Sequence, residues 1–223
     1  MNILLVFATS AEAEILKMIP GIKPEADGSF SGRHNLYAAI TGVGGISTAW
    51  SMKQWLSVNT KPDLAINAGI AGSFSKKFKK GDVVLPVSDC FADLGIEKDG
   101  KYLTLAEAGL TSRNEVPFED GLLVVRNRYI EKLLSVIPPV KAVTVNTVTG
   151  SQASIDRLMG KFNPEIETME GATFFYICTR EKIPFLAIRA ISNFVEPGRR
   201  SLWEIPLALR NLAGKLNEIL NIL

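Results

Sequence analysis

Short, unbroken apolar runs recur along this chain. Most lead into a turn rich in Gly, Ser, Thr or Asn, and many of those turns open a helical stretch. Asn2–Phe7, Leu36–Ile40, Asp63–Asn67, Asp82–Val87, Lys141–Asn146 and Phe185–Ile191 are runs of this kind. An apolar run of about four to eight residues without polar alternation reads as a strand covered on both faces. Between them, Ser10 offers an N-cap for a helix over Ala11–Ile19, closed by Pro20-Gly21. Further helical stretches read as Ile46–Val58, Asn127–Val136, Ser151–Met159, Gly171–Arg180 and Leu202–Leu223. In the last of these, Leu209, Leu212, Leu216 and Leu220 form a stripe with the spacing of a core-facing helix. Strands alternating with helices predict an α/β fold with a largely parallel central sheet. The 223 residues fit one domain over 1–223. The polar stretch 98–119 has no clear period and reads as a long loop.

Composition removes several functional classes. Lys and Arg total 25 against 23 Asp and Glu, so the net charge of +2 argues for neither nucleic acid nor an acidic membrane surface as partner. No segment approaches the ~20 apolar residues of a spanning helix. No Lys or Arg precedes the apolar Ile3–Ala8 run, which argues against a signal peptide and for a cytoplasmic protein. Cys90 and Cys178 form neither a disulfide framework nor a metal-ligand spacing, and the single histidine, His34, cannot anchor a multi-histidine site. No metal or organic cofactor is indicated.

Open α/β sheets bind ligands beyond the carboxyl ends of their strands. The segments that follow the predicted strands are Thr9 with Glu12, Gly42-Val43-Gly44-Gly45, Gly69-Ile70-Ala71-Gly72, Asn146 to Ser151, and Ser192-Asn193 with Glu196; Met169-Glu170 precedes the Gly171 helix. Each also has a plain structural reading. The glycine loops suit tight turns, and Ser47 stands where a dinucleotide fingerprint needs its third glycine. Glu12 and Glu14 suit a helix start, and being two apart they cannot share a face. Glu170 suits the N-terminus of its own helix.

Together these segments resemble the nucleoside phosphorylase superfamily and its nucleosidase branch. The resemblance rests on Ala8-Thr9 with Glu12, Thr41-Gly42-Val43-Gly44, Asn67 to Gly72, Thr168-Met169-Glu170-Gly171 and Arg189 to Asn193. Within that branch the futalosine hydrolase family is similar to this chain through Val145 to Ser151, Met169-Glu170-Gly171 and Ile191 to Pro197. The resemblance implies a three-layer α/β/α fold around a mostly parallel, mixed sheet. It implies an N-glycosidic hydrolysis of futalosine to hypoxanthine and dehypoxanthine futalosine, in a route to menaquinone. It further implies that Glu12 activates water, that Glu170 grips the ribose hydroxyls, and that Asn193 meets the base. Thr9, Gly42, Gly69, Ile70, Val148, Thr149, Met169 and Ser192 would complete the binding site of a homo-oligomer, a dimer by preference. Asn193 and Ile70 depart from the Asp and Ser that the methylthioadenosine/adenosylhomocysteine nucleosidases carry there, which argues against adenine specificity.

The chemistry is consistent with those roles. Glycosidic cleavage passes through a cationic sugar that carboxylates stabilise, and one carboxylate can deprotonate water. An asparagine NH₂ suits the O6 and N7 acceptors of a 6-oxopurine, although its amide oxygen can accept from an adenine N6–H. A phosphorylase would need cations for phosphate, with Arg33, Arg113 and Arg126 as candidates, and would be repelled by Glu12. A silent purine-binding protein is the rival from a different class.

Overall fold

The computed structural model describes residues 1–197 and 203–223. Its strands are β1 (Asn2–Phe7), β2 (Lys23–Pro24), β3 (Phe30–Ser31), β4 (Asn35–Ile40), β5 (Leu64–Ser73), β6 (Val83–Asp89), β7 (Gly95–Lys98), β8 (Lys101–Thr104), β9 (Leu123–Val124), β10 (Pro139–Thr144), β11 (Ile166–Thr168) and β12 (Phe185–Phe194). The helices are α1 (Ser10–Ala13), α2 (Gly45–Val58), α3 (Arg128–Leu133), α4 (Gln152–Phe162), α5 (Gly171–Arg180) and α6 (Ile205–Ile222). The predicted start of the last helix, at Leu202, lies outside the described residues.

Among the described residues, ten strands form one mixed sheet in the order β11-β10-β6-β12-β5-β1-β4-β3-β2, with β9 paired to β6. β1 runs parallel to β4 and β5, and β12 runs parallel to β5. β12 with β6 and β11 with β5 are antiparallel. The β11–β5 pairing curls one end of the sheet back on itself, closing β5, β12, β6, β10 and β11 into a small barrel. Parallel strands covered on both faces explain the unbroken apolar runs: Ile3 to Phe7, Leu64 to Ile66 and Leu186 to Ile188 are all almost fully buried. Helices flank the sheet on both sides. α2 packs on α5, and α6 packs on β12, β5 and the turn after α1. Leu212, Leu216 and Leu220 bury the stripe expected of α6. No helix of the described residues is long and apolar enough to cross a membrane.

Three expectations need correction. The helix predicted over Ala11–Ile19 is only α1, capped by Thr9 rather than Ser10, followed by a 3₁₀ stretch over Glu14–Met18. Thr9 and Glu12 satisfy each other's backbone N–H groups, so the T-x-x-E spacing sets the start one residue earlier. β5 and β12 do not stop at Asn67 and Ile191 but continue to Ser73 and Phe194. The stretch 98–119 is not structureless throughout: β7 and β8 form a hairpin turning at Asp99 (φ 51°) and Gly100 (φ 70°), two left-handed residues as a two-residue turn with this strand twist requires.

Candidate active site

The extensions of β5 and β12 carry their polar ends into a cleft of about 740 Å³, within the usual size of small-molecule sites. Thr9, Glu12, Ile70, Val148, Thr149, Met169, Glu170, Ser192 and Asn193 all line it. Gly42 and Gly69 are not among the lining residues. Gly69 lies beneath Glu12, where a Cβ would sit 2.7 Å from Glu12 Oε1, so only glycine lets that carboxylate rest on β5. Asn146 turns aside to donate to Asp93 at 3.0 Å. His34 sits on the α6 side, its Nε2 3.0 Å from the Leu220 carbonyl.

Glu12 is buried. Its Oε2 accepts from the Thr9 N–H at 2.9 Å and the Thr9 hydroxyl at 3.0 Å, and its Oε1 accepts from the Ile70 N–H at 3.1 Å. Glu14 instead faces solvent, paired with Lys17. The capping box and the cleft position coexist: the local helix start is what holds the carboxylate over β5.

Glu170 stands at the N-cap of α5. Its Oε1 accepts from the Gly44 N–H at 2.8 Å, so the glycine loop before α2 reaches across to hold it. The Met169 N–H also acts on this carboxylate. Burial pushes the Glu170 carboxyl above the usual range, while the Gly44 N–H and Arg189 pull it down and Glu12 adds to the rise.

Beneath both carboxylates lies Arg189, which is 2% exposed. Its guanidinium donates to the Asn67 carbonyl at 2.7 Å and to the Asn67 side-chain oxygen, and Asn67 donates onward to the Val6 carbonyl at 2.9 Å. Burial lowers its pKa, opposed by Glu170, Glu12 and Asp89. Asp89 is itself buried, its Oδ1 accepting from the Thr144 hydroxyl at 3.0 Å. Burial pushes its carboxyl up to about 7. The hydrogen bonds of Arg189 go to Asn67 and the Ile188 carbonyl, so its buried charge acts on these carboxylates from nearby and not through a direct ion pair among the described residues. Arg189 opens one of the segments that carry the resemblance but has no role assigned from sequence, and Asp89 carries no sequence signal. An arginine inside the apolar run Phe185–Ile191 was the available signal, since arginine is almost never fully buried unless paired.

At the other end of the cleft, the β12 register shifts between Ile191 and Asn193, leaving Ser192 in a bulge. Bulges re-aim side chains, and this one sets Asn193 facing the cleft. The Ser192 hydroxyl donates to Asn193 Oδ1 at 2.7 Å, while Asn193 Nδ2 donates to the Phe194 carbonyl at 3.1 Å. The Ser192 hydroxyl is also 3.2 Å from the Ala71 carbonyl, and the amide keeps one N–H of its NH₂ group and a second lone pair on its oxygen for a ligand. Glu167, which sequence reasoning passed over, also lines the cleft. The candidate phosphate ligands Arg113 and Arg126 are exposed and paired with Asp120 and Glu119, and Arg33 faces solvent.

A mixed sheet whose strand ends open on a cleft with a few convergent carboxylates is the arrangement of an α/β protein that takes a small-molecule ligand. The chain belongs to the phosphorylase superfamily, whose sequence profile matches residues 6–222. It is 31% identical to a futalosine hydrolase of Acidothermus cellulolyticus over 94% of this chain and 86% of that protein. It is 28% identical to a 5'-methylthioadenosine/S-adenosylhomocysteine nucleosidase of Buchnera aphidicola subsp. Schizaphis graminum over 83% of this chain and 78% of that protein. Among solved structures, the nucleosidase of that name from Neisseria meningitidis, in complex with methylthio-immucillin-A, superposes with a TM-score of 0.81 at 20% identity, covering 100% of this chain and 99% of that one. The native futalosine hydrolase of Helicobacter pylori gives 0.79 at 16% identity, covering 100% and 98%.

Proposed function

We propose that this chain hydrolyses the N-glycosidic bond of the purine nucleoside futalosine, releasing hypoxanthine and dehypoxanthine futalosine in a route to menaquinone. The observation that carries the reading is the convergence of Glu12, Glu170 and Asn193 on one cleft. Glu12 takes the proton of the attacking water. Glu170 binds the ribose hydroxyls and offsets the positive charge that grows on the sugar. Asn193 offers its remaining N–H to O6 and N7 of the base, supporting the negative charge left there as the bond to C1′ breaks; the departing base then takes a proton from solvent, which balances the proton that Glu12 removes from water. Thr9, Ile70, Val148, Thr149, Met169 and Ser192 shape the walls around them. Water rather than phosphate is the nucleophile. Among the described residues the cleft presents Glu12, Glu167, Glu170 and Glu196 against Lys80, a balance that repels an anion.

Comparison of kcat/KM for futalosine, inosine and methylthioadenosine tests the substrate. Futalosine is expected to lead, and a lead by methylthioadenosine would move the chain to the adenine-specific branch. Asn193→Asp is expected to shift the ratio of 6-oxo- to 6-aminopurine nucleoside turnover toward the amino substrate by about tenfold, the scale of one hydrogen bond to a charged group. An unchanged ratio removes Asn193 from base recognition.

The same reading includes a homodimer. On α2, Ile46 and Trp50 are 86% and 71% exposed and lie one turn apart, beside exposed Val43 and Ile40. Adjacent exposed apolar side chains of this size mark an interaction surface. This one adjoins the Gly44 loop that holds Glu170, so a partner subunit would border the cleft. Trp50→Glu is expected to convert a dimer into a monomer by size-exclusion chromatography with light scattering. A wild-type chain that is already monomeric contradicts the dimer.

A further inference from the structure

We infer that Glu167 is the residue that reads N1 of the purine, its unpartnered carboxylate oxygen accepting the N1–H of a 6-oxopurine beside the Asn193 amide. The inference rests on the purine-nucleosidase reading above and deepens it. It begins with the sheet. β11 pairs antiparallel with β5, placing Glu167 opposite Gly72, and β12 places Asn193 opposite the same glycine. Residues opposite one another across neighbouring strands share a face of the sheet, so Glu167, Gly72 and Asn193 form one row across three strands. Gly72 contributes no side chain. A Cβ there would lie 2.9 Å from Val195 Cγ2, 3.2 Å from Asn193 Nδ2 and 3.4 Å from Glu167 Cγ. The glycine lets the Glu and Asn side chains approach one another over its backbone.

Glu167 is 4% exposed and lines the cleft. Its Oε1 accepts from the Thr149 N–H at 3.1 Å, while Oε2 has no hydrogen-bond partner. A buried carboxylate oxygen without a donor is unfavourable, and native structures rarely leave one without a reason. The ligand that corrects this must bring an N–H to Oε2 while presenting an acceptor to the Asn193 NH₂. A 6-oxopurine does both, with a donor at N1 adjacent to the acceptor O6. A 6-aminopurine reverses both groups, with an acceptor at N1 and a donor at N6, and sets the N1 lone pair against the carboxylate. Glu167 therefore acts by rejecting adenine as much as by holding hypoxanthine.

Substituting Gln exchanges this preference. The Thr149 N–H needs an oxygen, so the amide of Glu167→Gln keeps its oxygen on Thr149 and turns its NH₂ into the cleft. That group repels N1–H and welcomes the N1 of adenine. The experiment measures binding of free hypoxanthine, 1-methylhypoxanthine and adenine to the wild-type enzyme and to Glu167→Gln by calorimetry. The wild type is expected to bind hypoxanthine at least about tenfold more tightly than either other base, the scale of a charge-assisted hydrogen bond. In Glu167→Gln the hypoxanthine-to-adenine ratio is expected to fall by at least about tenfold. A purely structural role for Glu167 would weaken both bases alike and leave the ratio where it was, which overturns the inference. Equal wild-type binding of hypoxanthine and 1-methylhypoxanthine also overturns it, with no variant needed. Failure of the wild type to bind any of the three bases overturns the purine reading on which the inference rests, whereas tight hypoxanthine binding with an unmoved ratio leaves that reading intact.

Discussion

Glu170→Gln is expected to lower kcat/KM by at least about 100-fold, with most of the loss in kcat. The substitution is nearly isosteric and leaves the local structure satisfied. The amide oxygen can still accept from the Gly44 N–H, the contact now made by Oε1 at 2.8 Å. The NH₂ group would then face the cleft, where it can still hydrogen-bond a ribose hydroxyl, so ground-state binding changes little. The negative charge is what disappears, and only the cationic transition state needs it. The pH profile carries the same information. Burial raises the Glu170 pKa above its ordinary 4.5. The active form is the carboxylate, so wild-type activity should fall as pH drops through a value above 4.5. Removing the carboxyl should remove its contribution to that acid limb. Near-normal kcat in Glu170→Gln, with the protein folded, would reduce Glu170 to a helix-terminal acid.

Glu12→Gln is expected to lose at least about 100-fold as well, for a different reason and with a cost to the fold. Here both oxygens accept from backbone N–H groups, Thr9 on one side and Ile70 on the other. A glutamine has one carbonyl oxygen, so its NH₂ must confront one of those donors. Leaving a buried donor unpaired costs about 1–3 kcal/mol. The variant should therefore melt several degrees lower, and activity must be measured well below that transition. A general base takes a proton, and an uncharged amide cannot. Stability loss with intact kcat would mean that Glu12 serves only as the capping box of α1.

The order of strands and helices was readable because a buried parallel strand needs an apolar side chain at nearly every position. The site was harder to read for the complementary reason. β5 and β12 continue as strands through Gly69 to Ser73 and through Ser192 to Phe194. There one face meets the cleft, and small or polar residues replace the apolar pattern. β11 spans only Ile166–Thr168, too short to show a period, so Glu167 carried no signal. The β7–β8 hairpin did carry one: Asp99-Gly100 is a strong turn dipeptide set in otherwise polar sequence. Glu12, Glu170 and Asn193 were legible as candidates because each stands just beyond an apolar run or at a helix start. Arg189 is a charged residue inside a core strand, and only the fold shows that Asn67 and the Ile188 carbonyl take its hydrogen bonds.

The most direct measurement is hypoxanthine release from futalosine by the purified chain in phosphate-free buffer, followed by the same assay with phosphate added. The expected result is turnover without phosphate, a free sugar hydroxyl at C1′ in the second product, and no acceleration when phosphate is present. Release that appears only with phosphate, accompanied by a sugar 1-phosphate, would contradict hydrolysis. Tight binding of hypoxanthine with no release under either condition would contradict catalysis altogether.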